Sequence, residues 1–131
     1  MKTLLVTGGA GFIGGNFVHF LARRDGVRIV NLDKLTYAGN LDTLSTLQHH
    51  SGHHFVQGDI GDRKLVAGVL AEHRPDAIVN FAAESHVDRS IDGPVDFIQT
   101  NVVGTFNLLD CARGYWNELD ASRRRGFRFL H

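Results

Sequence analysis

The sequence predicts an α/β fold, a doubly wound parallel sheet, with residues 1–131 forming one domain. Three observations support it. Apolar runs of strand length alternate with stretches whose apolar residues recur at helical spacing. The first run breaks directly into glycines, and the later runs end in small or acidic residues. The segments between runs are mostly long enough for the crossover helices that parallel strands require.

Each element follows in order. LLVTG, from Leu4, is a short apolar run closed by Gly8 and reads as the first buried strand. Ile13, Phe17, Phe20 and Leu21 then share one face of a helix. VRIVNLD, Val27 to Asp33, is a second strand, and Leu41, Leu44 and Leu47 line one side of a short helix. HFVQGD, from His54 to Asp59, is a third strand. Asp62 is placed to cap a helix whose apolar stripe is Leu65, Val66, Val69 and Leu70. Pro75 closes that region, and DAIVNFAA, from Asp76, is a fourth strand. Pro94 suits a first helical turn, with Val95, Ile98, Val102, Phe106 and Leu109 as the stripe behind it. FRFLH, Phe127 to His131, starts a fifth strand, so the sheet is expected to be truncated there.

Composition narrows the function classes. Hydrophobic residues make up 43% and charged residues 21%, the balance of a globular domain. Fourteen basic and fourteen acidic residues cancel, so no global field favours nucleic acid or a membrane surface. A lone cysteine, Cys111, cannot form an internal disulfide, and no apolar run approaches the roughly 20 residues of a membrane span. The expected location is the cytoplasm.

Chemistry enters with the first turn, Thr7-Gly8-Gly9-Ala10-Gly11-Phe12-Ile13-Gly14. In the spacing Gly8-x-x-Gly11-x-x-Gly14, Gly8 permits a tight turn and Gly11 lets backbone N–H groups approach a pyrophosphate. Gly14 lets the helix pack closely, and the helix N-terminus turns unpaired donors toward the phosphates. Asp33, nineteen residues after Gly14, ends the second strand. Its carboxylate can accept from both ribose hydroxyls and would repel a 2′-phosphate, although Lys34 beside it offsets that repulsion in part. The reading is a Rossmann-type turn that binds a dinucleotide, NAD in preference to NADP.

Longer strings carry a resemblance. The glycine spacing with DKLTYAGN, Asp33 to Asn40, resembles the extended short-chain dehydrogenase/reductase family. Within it, DKLTYAGN together with AAESHVDRSIDGP, Ala82 to Pro94, is similar to the dTDP-glucose 4,6-dehydratases. FIQTNVVGTFNLLD, Phe97 to Asp110, and RGYWNELD, Arg113 to Asp120, extend the similarity over essentially the whole chain. The resemblance implies oxidation of a sugar at C4 with NAD, loss of water across C5 and C6, and return of hydride at C6. It implies cofactor contacts from Phe12, Ile13, Asp33, Lys34, Leu35 and Thr36, and from Asp59 and Ile60 at the adenine. Phe81, Ala82, Ala83, Glu84, Ser85 and Thr100 complete the implied cofactor set, with Ser85 also facing the sugar nucleotide dTDP-glucose. A homodimer is implied for the full-length family.

The same resemblance leads one to look for a Tyr-x-x-x-Lys pair and a Thr-Asp-Glu trio. Tyr37 is followed four residues later by Leu41 and Tyr115 by Leu119, and no Thr-Asp-Glu string occurs. The expectation is therefore an incomplete NAD-binding portion, without its C-terminal substrate portion, inactive alone and prone to self-association. A non-catalytic dinucleotide-binding module, or part of another nucleotide-sugar epimerase or decarboxylase, is the alternative.

Three further features read as structural. HHSGHH, His49 to His54, has no cysteine or carboxylate at ligand spacing and is expected to be a solvated loop, not a metal site. Arg123 to Arg125 suggest an exposed turn, and Cys111 a buried small residue. Asn101 matches the family's helix asparagine.

Overall fold

The sheet is built from β1 (Lys2–Thr7), β2 (Val27–Asp33), β3 (His53–Gln57), β4 (Ala77–Asn80) and β5 (Arg128–Leu130). All neighbours are parallel, in the order β3-β2-β1-β4-β5. The computed structural model describes residues 1–36, 40–85 and 87–131, without the side chains of 87 and 89. Tyr37, Ala38 and Gly39 of DKLTYAGN, and His86 of the polar segment, thus lie outside the described residues.

Alternation along the central strands produces two cores. Leu5, Val30, Leu32 and Ile78 point to one face, where Val66, Leu70, Leu108 and Tyr115 cover them. These come from α2 (Arg63–His73) and α5 (Thr105–Glu118), which pack on each other. Val6 and Ile29 point to the opposite face and meet Val18 and Leu21 of α1 (Phe12–Ala22). Leu44 and Leu47 of a 3-10 turn (Leu41–Leu47) close that side. Strands buried on both faces explain why β1 and β2 read as near-continuous apolar runs.

Local signals work as expected at several ends. The Asp62 carboxylate caps α2 by accepting from the Leu65 N–H at 3.1 Å, and Pro94 opens α4 (Pro94–Phe97). The helical axis continues through a π-helical segment, Ile98–Gly104, directly into α5. The short α3 (Val87–Asp92) precedes α4.

Several expectations require correction. On α1 the inward face is Gly14, Gly15, Val18 and Leu21, while Ile13 and Phe20 are exposed and Phe17 is half-buried. At Gly14 the helix approaches the preceding turn too closely for any side chain, since a Cβ there would stand 2.2 Å from the Gly8 carbonyl oxygen. Phe20 instead lies beside Phe17 and under the Arg24 guanidinium. Leu41 is exposed at the start of its turn. His54 starts the third strand as read from HFVQGD, but His53 of the HHSGHH stretch also belongs to β3 instead of a loop, and β3 and β4 end at Gln57 and Asn80. The arginine run lies in α6 (Ala121–Gly126), where Asp120 accepts from the Ser122 and Arg123 N–H groups. Arg123 and Arg124 donate to the carbonyls of Arg74, Asn117 and Leu119. The apolar stripe from Val95 to Leu109 needs no correction: it lies exposed at Val95, Ile98, Val102, Phe106 and Leu109, in line with the expected tendency to self-associate.

Candidate functional site

The site lies at the carboxyl ends of β1, β2 and β4, where the strand order reverses about β1. Crevices of this kind are where doubly wound sheets take their ligands. Gly8 leaves β1 with a φ of 70°, a conformation that favours glycine. A Cβ on it would come within 2.6 Å of the Ala82 nitrogen, so the turn packs directly on the segment after β4. A Cβ on Gly14 would stand 2.2 Å from the Gly8 carbonyl oxygen. Gly11, which lines the cleft, is the N-cap of α1 and offers no side-chain cap to its first-turn N–H groups. Phe12 and Ile13 project outward, so their part in a dinucleotide site would come from backbone N–H groups.

Asp33 is buried and its carboxylate is fixed at both oxygens. One accepts from the Ala10 N–H at 2.9 Å and the other from the Leu35 N–H at 2.8 Å. Each oxygen retains acceptor capacity, as a carboxylate offers about four sites. This holds the carboxylate in one orientation at the wall of the cleft. Leu35, whose N–H closes that turn, has a φ of 59°, an uncommon conformation for a leucine. Lys34 pairs through Nζ with the Asp59 carboxylate at 3.2 Å.

Asp59 and Ile60 follow β3 in a turn pinned from both sides. Asp59 accepts from the Gly61 N–H at 2.8 Å, and Asn107 of α5 donates its buried amide to the Ile60 carbonyl at 2.6 Å. Gly104, closing the π-helical segment, sits against the Ile60 side chain.

Beyond β4 the backbone is held by two asparagines. Asn80 is buried, receives the Thr7 hydroxyl and the Ala82 N–H, and donates to His131 Nδ1 at 3.0 Å. Asn101, on the π-helical segment, accepts from the Glu84 N–H and donates to the Glu84 carbonyl, both at 2.9 Å. A π-helical stretch widens the helix locally, and such segments recur at functional sites.

These elements border a cleft open to solvent. Gly8, Gly11, Asp33, Lys34, Thr36, Asp59, Ile60, the stretch from Phe81 to Glu84, and Thr100 line it, together with Leu32 and Gly58. Of the remaining expected residues, Leu35 packs beneath it against the α1 core, and Ser85 is exposed beyond Glu84. The described lining holds three carboxylates, Asp33, Asp59 and Glu84, and one cation, Lys34. Small residues at 8, 11, 82 and 83 leave room for a flat, extended ligand, and the donors and acceptors suit a dinucleotide.

Sequence reasoning did not single out Asn80 or Asn107, nor the clamp formed by Asn101. A signal existed, since a polar side chain that folds inward must find partners. Tyr115 lies elsewhere: its hydroxyl donates to the Pro75 carbonyl at 2.8 Å, ahead of β4 and thus at the opposite end of that strand. Burial pushes its pKa up, as it does for the buried Cys111 thiol. Among the described residues no cluster of His, Cys, Asp and Glu could hold a metal, and no helix is long and apolar enough to cross a membrane.

Comparison with known proteins agrees with this geometry. A dTDP-glucose 4,6-dehydratase of Xanthomonas campestris is 65% identical over 100% of the chain, which spans 37% of that relative's length. The crystal structure of a Bacillus anthracis dTDP-glucose 4,6-dehydratase in complex with NAD superposes with a TM-score of 0.81 at 37% identity. That match covers 98% of this chain and 36% of the other. A Streptomyces venezuelae dTDP-glucose 4,6-dehydratase with NAD and TYD bound gives 0.80 at 48% identity, covering 87% and 36%. The model of the GDP-mannose 4,6 dehydratase family matches residues 5–131, and the chain belongs to that family.

Proposed function

We propose that this chain is the NAD-binding portion of a dTDP-glucose 4,6-dehydratase, with the cleft at the carboxyl ends of β1, β2 and β4 as the cofactor site. The observation that carries the reading is the doubly anchored Asp33 carboxylate beside the Gly8–Gly14 turn, both opening on one cleft. When bound, NAD would accept and return the hydride of the dehydration reaction.

Each residue has a physical task in this reading. First-turn N–H groups of α1 meet the pyrophosphate, and Asp33 accepts from the adenosine ribose. The Asp59–Ile60 turn borders the adenine, while Phe81 to Glu84 and Thr100 form the nicotinamide side. Ser85, exposed beyond Glu84, would face the sugar nucleotide. The Tyr-x-x-x-Lys pair and Thr-Asp-Glu trio associated with such enzymes do not occur in these 131 residues. Turnover would therefore need residues beyond them. Cytoplasmic residence, and a homodimer formed through the exposed apolar face of Ile98 to Leu109, belong to the same reading.

Titrating the purified chain with NAD by calorimetry, alongside an assay for 4-keto product from dTDP-glucose, tests it. Saturable binding near one equivalent without product is the expected result. No detectable NAD binding would overturn the reading, and product formation would overturn the claim of inactivity.

A further inference from the structure

We propose that Asp59 enforces dinucleotide choice by occupying Lys34, the one cation among the described residues lining the cleft. The inference rests on the NAD-binding reading and adds a second determinant to the charge of Asp33. Asp33 and Lys34 both line the cleft, so in the NAD-binding reading the lysine borders the same ribose region as the carboxylate. Left to itself it could accompany a 2′-phosphate, the added group that separates the two dinucleotides. Such a phosphomonoester carries nearly two negative charges near neutral pH.

The structure commits that cation elsewhere. Lys34 Nζ lies 3.2 Å from Asp59 Oδ2, while Asp59 Oδ1 is held by the Gly61 N–H at 2.8 Å. The carboxylate is thus anchored on one oxygen and presents the other to the lysine. Both side chains are partly exposed, at 56% and 39%, and pairs this exposed contribute little to stability. Its value is positional: the pairing keeps the ammonium group on the adenine side of the cleft. Lys34, Thr36, Glu84 and Thr100 also border a second recess that holds Asp92 and Asp96. A 2′-phosphate there would meet additional negative charge and a cation already engaged.

A double-mutant cycle read by equilibrium binding tests this. Asp59→Asn keeps an Oδ1 acceptor for Gly61 and releases the lysine. It is expected to raise affinity for NADP relative to NAD by roughly threefold to tenfold, with the gain shrinking as salt rises. Lys34→Gln alone is expected to move the ratio less than about twofold, because the cation it removes is already occupied. In the Asp59→Asn background the same change is expected to erase the gain. Thermal unfolding of each variant accompanies the titrations, and Lys34→Gln, an exposed change, supplies the reading if Asp59→Asn fails to fold. NAD binding by the unaltered chain with no change of ratio in Asp59→Asn would overturn the inference alone. So would a gain that persists without Lys34, or a fall in the ratio of more than about threefold on Lys34→Gln alone. Failure of the unaltered chain to bind NAD would overturn the parent reading and this inference together.

Discussion

The Asn101 carboxamide and the Glu84 peptide exchange two hydrogen bonds, donor to acceptor and acceptor to donor, each 2.9 Å long. A side chain on the π-helical segment thereby stands in for a neighbouring strand and holds the backbone where β4 has ended. Asn101→Leu removes both bonds, each of which contributes roughly 0.5–1.5 kcal/mol. NAD affinity measured by calorimetry is expected to fall about tenfold as the segment from Ala82 to Glu84 loses its anchor. Asn101→Asp keeps an acceptor but turns a negative oxygen toward the Glu84 carbonyl, and should fall at least as far. Unchanged affinity in Asn101→Leu would show that the clamp plays no part in the site.

Two glycines make opposite predictions. Gly14→Ala would place a Cβ 2.2 Å from the Gly8 carbonyl oxygen, so α1 and its turn must separate. The expected cost is about 1–3 kcal/mol in denaturant unfolding, with weaker NAD binding. At Gly68, on α2, a Cβ would meet nothing within 4 Å. Gly68→Ala should stabilise by roughly 0.4–1 kcal/mol by restricting the unfolded chain. If Gly14→Ala costs no stability, the close packing of α1 on its turn is not limiting.

Stability should depend on pH through two histidines. Burial holds His73 below its ordinary value of 6.5, with Glu72 opposing and with His54 and Arg28 adding to the shift. Its Nδ1 faces the Arg28 guanidinium at 3.1 Å, which suits the neutral ring as acceptor. Burial, with His50, His19 and His54, lowers His53 likewise. A lowered histidine binds fewer protons folded than unfolded, so stability is fully present above about pH 6.5 and falls as pH drops through and below that value. At lower pH, Asp110 and Asp120 extend the loss. The bond from Arg63 to Asp110 and the Arg123 N–H at Asp120 hold both carboxylates below their ordinary range. Urea midpoints between pH 5 and 8 check the first window, and His73→Gln should flatten it.

The exposed stripe predicts association. Ile98, Val102 and Phe106 are more than half exposed on one continuous helical axis. An apolar face of this kind favours contact with another apolar surface. Val102→Glu with Phe106→Glu should shift sedimentation toward the monomer while leaving the far-UV circular dichroism unchanged. A wild-type chain that sediments as a monomer at high micromolar concentration would argue against the interface.

How legible the molecule was differs from element to element. Strand β2, Val27–Asp33, was readable to the residue, because both its faces are buried and its end is marked by a carboxylate. The Asp62 cap and Pro94 start are local chemistry and were equally plain. Helix α1 was misread, since periodicity favours large apolar residues and cannot show that Gly14 and Gly15 form the contact face. The π-helical segment carries no distinct spacing in the sequence, and its contacts with the Asp59–Ile60 turn, through Gly104 and the nearby Asn107, join residues more than forty positions apart.

Sequence alone determined the sheet-and-helix alternation, the glycine turn, the acid at the end of β2 and the resemblance to sugar-nucleotide dehydratases. Each is written in local spacing or in a contiguous string of residues. Tertiary structure decided what those residues do to one another. It anchored both Asp33 oxygens on backbone N–H groups, turned Lys34 to Asp59, and brought Asn101 to Glu84 across seventeen residues. The physical reason is that a hydrogen bond or ion pair depends on distance and angle in space, and parallel crossovers set those between residues that are remote in the chain.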